Sequence, residues 1–178
     1  MRRIIALALG LLLLAGCGSM TVQDFAANKP ELRLEEYFAG RSRAWGIFED
    51  RFGRLRRQFI VDIQGTWDAG SQTLTLTEDF TYSDGETEQR VWTIRKQPDG
   101  SYRGTAEGVV GEASGSAAGN AFYWSYLFDL KVGSTTWRVR FDDWLWQQDG
   151  EVLVNRADIS KWGVRIGGVA IFFRKLTH

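Results

Sequence analysis

From about residue 43 to residue 174, apolar and polar residues alternate with a period of two, in runs separated by short Asp- and Gly-containing turns. Successive side chains of a strand point to opposite faces, so the pattern is that of β-strands with one buried face; a helix would repeat its apolar positions every three to four residues. Strands are predicted at about 43–50, 55–65, 72–81, 87–96, 101–108, 121–131, 135–146, 151–159 and 164–174. Asp68-Ala69-Gly70, Asp84-Gly85, Pro98-Asp99-Gly100, Val132-Gly133-Ser134 and Asp149-Gly150 carry turn chemistry between them. Such short connections leave no room for crossover helices, so consecutive strands pair as antiparallel neighbours. The fold class expected is all-β, a single up-and-down barrel of about 8 to 10 strands, because closure removes the unpaired edges of a long open sheet. A barrel of this size is either filled by its own side chains or holds one small ligand. Glu31 to Phe38 reads as one short helix or an initial strand.

The N-terminus has a different logic. Arg2 and Arg3 precede an unbroken apolar run, Ile4 to Leu14, that closes on Ala15 and Gly16. Charged, apolar and small residues in that order predict a signal peptide over residues 1–16, and the run is too short to span a bilayer of about 30 Å. Leu14-Ala15-Gly16-Cys17 resembles the lipobox of bacterial lipoproteins, which implies lipidation of Cys17 and attachment to a membrane. Gly18 and Ser19 lack the aspartate that tends to retain such proteins at the inner membrane, so the expected location is the periplasmic face of the outer membrane. Residues 17–30 are then a tether and residues 31–178 the barrel domain. Cys17 is the only cysteine, which excludes a disulfide framework. Without Arg2 and Arg3, 20 basic side chains face 22 acidic ones, a balance that argues against nucleic acid as a partner. A transmembrane barrel is disfavoured, since Arg56, Asp62, Arg138 and Arg140 fall on outward faces where lipid would demand apolar groups.

Phe141-Asp142-Asp143-Trp144-Leu145-Trp146, Asn155-Arg156-Ala157, Lys161-Trp162-Gly163-Val164 and Phe173-Arg174-Lys175 together resemble a family of Gram-negative lipoproteins, the domain of unknown function thirty-eight thirty-three. Phe38-Ala39-Gly40, Ala44-Trp45-Gly46, Glu78-Asp79-Phe80 and Gly119-Asn120-Ala121 agree with it, so the likeness spans most of residues 31–178. The resemblance implies a lipocalin-like strand plan and a loose connection with envelope lipid or fatty-acid metabolism. It brings no catalytic residues with it.

The inventory of reactive side chains is narrow. The one histidine is His178, at the end of the sequence, so His-based triads and His/Cys zinc sites are unsupported, and no glycine-rich phosphate loop precedes a helix. No metal or cofactor is expected. Polar residues on the apolar register are the more telling feature. Glu78 shares a face with Leu74, Leu76, Phe80 and Tyr82; Arg90 shares one with Trp92 and Ile94; and a hairpin turning at Asp84-Gly85 brings Glu78 and Arg90 together. Asp143 interrupts Trp137, Val139, Phe141 and Leu145, and Asn155 stands between Leu153 and Ala157. Glu78 and Arg90 form either a buried ion pair of purely architectural value or the polar end of a pocket in which Arg90 meets an anionic headgroup. Phe122, Trp124, Tyr126, Phe128 and Leu130 form an aromatic stripe facing Trp137, Val139 and Phe141, which is core in a filled barrel and pocket wall in a hollow one. Candidate ligand-binding residues are therefore Glu78, Arg90, Trp124, Tyr126, Trp137, Asp143 and Asn155.

Three further features stay open to two readings each. Trp144 and Trp146 share a face with Arg138 and Arg140, which predicts exposed aromatics at a barrel mouth, a membrane or a protein partner, or aromatics covered by arginines. Val169 to Phe173 is apolar on both faces, so the last strand is covered on both sides or meets a partner. Gly104, Gly108, Gly111, Gly115 and Gly119 punctuate a segment read as a strand bend with a long loop, or as a lid. Arg51, Arg54, Arg56 and Arg57, the densest basic cluster, are read as a solvated strand end in preference to a contact with anionic headgroups beside the anchor. The leading function is non-enzymatic: binding or shielding a fatty acyl or other lipid ligand at the outer membrane. A filled structural barrel that meets a protein partner is the alternative, and a carboxylate-based lipid enzyme using Glu78, Asp143 and Tyr126 is the third.

Overall fold

The computed structural model describes residues 19–176; Cys17 and the signal segment lie outside them. Ten antiparallel strands run in chain order: β1 (Gly40–Asp50), β2 (Leu55–Asp68), β3 (Thr73–Tyr82), β4 (Thr87–Lys96), β5 (Tyr102–Thr105), β6 (Val109–Ala118), β7 (Ala121–Val132), β8 (Thr135–Gln147), β9 (Val152–Lys161) and β10 (Val164–Lys175). Each pairs with the next, and β1 pairs with β10 from Ser42↔Lys175 to Asp50↔Gly167, closing the barrel. Aspartates set several of the turns: Asp68 accepts the Gly70 amide at 2.9 Å, Asp99 that of Ser101 at 2.9 Å and Asp149 those of Glu151 and Val152 at 2.8 and 2.7 Å. A short acceptor that caps the turn backbone lets the chain reverse without losing a hydrogen bond.

The predicted strands all form, and a tenth appears where a loop or lid was expected. β5 is the predicted strand at 101–108, and β6 replaces the long loop read into the glycine-punctuated segment; the reason is steric. A Cβ on Gly104 would stand 2.9 Å from Trp124, and one on Gly115 would meet Phe122 at 2.8 Å. Small residues on β5 and β6 make room for the large rings of β7, so the strand lacks the bulky alternation by which strands are recognised.

One end of the barrel is plugged. The segment before β1 includes a single helical turn, α1 (Leu34–Tyr37), and buries Leu32, Leu34, Tyr37 and Phe38. Glu35 anchors it, accepting Lys96 Nζ at 2.5 Å and the Tyr102 hydroxyl at 2.8 Å. Burial pushes the Glu35 carboxyl up, but Lys96, a backbone amide and Tyr102 together bring it below the usual carboxylate range. Tyr37 donates to the Glu151 carbonyl at 2.8 Å and Lys175 to that of Glu36 at 2.6 Å, tying plug to wall.

The expected tether is docked over its described part. A 3-10 turn at Val22–Phe25 sets the Phe25 ring 6.0 Å from Trp144 and 6.1 Å from Trp146. Trp144 is accordingly buried, with Tyr123 at 4.7 Å and Trp146 stacked at 5.6 Å. The aromatics at 144 and 146 are thus covered by the chain's own N-terminal segment and, at Trp146, by Arg156 at 5.9 Å from the ring, while Arg138 and Arg140 lie elsewhere. Those arginines pair on the outer wall with Asp129 at 2.8 Å and Asp142 at 3.0 Å, and Arg56 and Asp62 likewise face outward. In the last strand Val169, Ile171 and Phe173 point inward, while Phe172 faces outward and is exposed.

Candidate functional site

The barrel is hollow. A cavity of about 550 Å³ runs from Leu34 and Phe38 of the plug to Val132, Trp137 and Ile166 at the opposite rim. Val132 and Trp137 both line it and reach solvent, so the cavity opens at that end. Its volume lies within the range of about 300–1,000 Å³ usual for pockets that take drug-sized ligands. The walls are mainly rings and branched aliphatics: Trp92 and Trp124 lie 4.6 Å apart, and Tyr126 stacks on Phe141 at 5.1 Å.

All of Glu78, Arg90, Trp124, Tyr126, Trp137, Asp143 and Asn155 line this cavity. Period two puts them there, because each shares a face with the apolar residues two positions away. Glu78 sits directly opposite Arg90 in the β3–β4 ladder, and Trp124 opposite Asp143 in the β7–β8 ladder. Asp143 accepts the Trp124 indole N–H at 3.1 Å and a hydrogen bond from the Asn155 amide, which also donates to the Trp144 carbonyl at 2.9 Å. Burial raises the Asp143 carboxyl to about 6, against these hydrogen bonds.

The expected Glu78–Arg90 ion pair is not the one that forms. Arg90 donates to Glu88 at 2.6 Å, and Glu88 also takes the Tyr82 hydroxyl at 2.8 Å. Glu88 lies two residues from Arg90 on the same strand, close enough to capture the guanidinium in place of the cross-strand carboxylate. Arg90 also lies 5.0 Å from the Phe80 ring and 5.2 Å from that of Phe128, and its Nε is buried with no partner among the described residues. No hydrogen bond reaches Glu78 from the described residues; burial lifts its carboxyl to about 7, only partly opposed by Arg90 and reinforced by Asp143.

Arg57 belongs to this cavity and not to a solvated strand end. It lies 3.6 Å over the Tyr82 ring and binds Asp84 at 2.8 Å, as well as Glu86. Its register with Phe59, Val61 and Ile63 on β2 was the available signal. Among the described residues no three His, Cys, Asp or Glu side chains gather as a metal site.

A closed meander barrel with an apolar interior and a few inward polar groups defines the lipocalin-like class. The chain belongs to the family described as Protein of unknown function (DUF3833), which matches residues 11–175. No curated protein matches the chain. Among solved structures, an S-type phycobiliprotein lyase, CPES, from Guillardia theta is similar at a TM-score of 0.58 and 12% identity, over 89% of this chain and 95% of that one. A protein of unknown function from the DUF3598 family of Nostoc punctiforme is similar at 0.56 and 11%, over 90% of this chain and 53% of its own. At such identity the likeness shows the fold alone, and a fold shared with a lyase supplies no argument against catalysis.

Proposed function

We propose that this protein is a lipid-anchored binding barrel, held by Cys17 at the periplasmic face of the outer membrane, whose cavity takes an amphipathic ligand of the fatty acyl class. The observation that carries the reading is the cavity itself, about 550 Å³ of largely apolar wall with Glu78, Arg90, Asp143 and Asn155 among its lining residues. An acyl chain would fill the apolar space. A headgroup carboxylate would compete with Glu88 for Arg90 and take a proton-mediated hydrogen bond from Glu78, whose carboxyl is about half protonated near pH 7. Titration with a polyene fatty acid whose emission rises in apolar surroundings tests this. Saturation at one probe per chain, displacement by palmitate and at least fivefold weaker binding in Arg90→Gln at unchanged melting temperature are expected; no saturable binding would end the proposal.

A second reading is favoured by one observation: two inward carboxyls raised to about 7 and about 6 are poised for proton transfer near neutral pH. Turnover of a lipid that follows a bell-shaped pH profile and disappears in Glu78→Gln would move the protein into the enzymes.

A further inference from the structure

The charge of the barrel is sharply divided. Over β9, β10, β1 and β2 with their connecting tips, residues 40–68 and 152–175, 11 basic side chains stand against 5 acidic ones. The remaining described residues hold 9 basic and 17 acidic side chains. Arg57 faces the cavity and is bound to Asp84 and Glu86, which leaves 10 basic against 5 acidic side chains on this side, a cationic side on a chain of nearly balanced total charge.

That same side carries much of the exposed apolar surface. Ile60, Trp45, Phe172 and Val154 are consecutive cross-strand neighbours on the outer wall, a row that continues into Trp146 under Phe25. Trp45 is 44% and Phe172 57% exposed. At the open end, the tips of the same four strands present Phe52, 71% exposed, and Trp162, 92% exposed. Trp162 holds φ at 52°, a left-handed conformation unfavourable for a bulky residue, so this hairpin accepts backbone strain as well as solvent exposure at its tip. The neighbouring β3–β4 tip carries Asp84 and Glu86, both bound to Arg57 of β2, and the β5–β6 tip beyond it carries Glu107.

We infer that the β9–β10–β1–β2 wall and its two tips are a docking face for an anionic lipid bilayer, on which the barrel lies side-on with one edge of its mouth at the lipid surface. Exposed aromatics set among arginines and lysines match the interface of an anionic membrane, where rings sit at headgroup depth and each nearby cation adds attraction. Phe25, near the start of the described residues, packs at the end of the aromatic row. The inference goes beyond ligand binding and does not depend on the anchor.

The chain from Ser19 onward holds the complete barrel and plug, and its flotation with vesicles provides the test. Binding to phosphatidylcholine vesicles containing phosphatidylglycerol, at least tenfold tighter than to phosphatidylcholine alone and weakened by salt, is expected. Phe52→Ala with Trp162→Ala, and separately Trp45→Ser with Phe172→Ser, should each weaken binding at least tenfold; Val91→Ser with Leu127→Ser, on other walls, should not. Absent binding, salt-insensitive binding, or equal loss in the Val91/Leu127 variant would overturn the inference. A dimer abolished by the same variants, without vesicle binding, would overturn it in favour of a second copy of the chain.

Discussion

Glu78 and Arg90 face one another across the β3–β4 ladder, yet the arginine spends its hydrogen bond on Glu88 and leaves Glu78 with none from the described residues. A carboxyl that lines the cavity without a dedicated hydrogen-bond donor among the described residues is the property from which most of the behaviour of this cavity follows.

Stability should depend on pH through Glu78 and Asp143. Their folded-state values, about 7 and about 6, lie above the 4.5 and 3.8 of the ordinary groups. The folded protein therefore binds more protons than the unfolded chain between those values, so this stabilisation is complete below about pH 4 and is lost as pH rises through 6 to 7. Urea unfolding should give a free energy lower by about 2 kcal/mol at pH 8 than at pH 5, given about 1.4 kcal/mol per pKa unit and some relief from cavity solvation. Glu78→Gln should remove most of that difference; an unchanged pH slope would refute the assignment.

Asn155→Ala should strip both Asp143 and the Trp144 carbonyl of one donor. A cost of about 2 kcal/mol is expected from unsatisfied buried groups. Denaturant midpoints at pH 6 check it, and a neutral result would mean that water replaces the amide.

The plug hinges on one carboxylate. Glu35→Ala removes the acceptor shared by Lys96 and Tyr102 and should cost about 2 kcal/mol. Amide exchange over residues 30–39 should quicken before that of β7 and β8. Exchange that quickens uniformly would show that plug and barrel open as one unit.

Glycines separate into two kinds. Gly104→Val would drive its side chain into Trp124 and should cost about 2 kcal/mol as overpacking, whereas Gly150→Ala meets nothing within 4 Å and should stay within about 0.5 kcal/mol of the parent. Thermal melts of the two variants test the account of β5 and β6.

Much of this was legible in sequence because it depended on parity. The runs around Leu74–Tyr82 and Arg90–Ile94, joined at Asp84-Gly85, placed Glu78 opposite Arg90, and the same rule turned Asp143 and Asn155 inward. β6 was hidden because Val109 to Ala118 is small, and its smallness answers to rings on β7 that pattern alone does not pair with it. Capture of Arg90 by Glu88 depends on rotamers, and the docking of Phe25 over Trp144 on a contact between residues far apart in the chain. Periodicity carries neither.

Whether the cavity takes a lipid is decided by native mass spectrometry of the chain from Ser19 onward, after incubation with mixed envelope lipids. One acyl-bearing lipid per chain is expected, lost at lower collision energy in Arg90→Gln and absent when Ala157→Phe fills the cavity wall. A protein that stays empty in every mixture while remaining folded would contradict it.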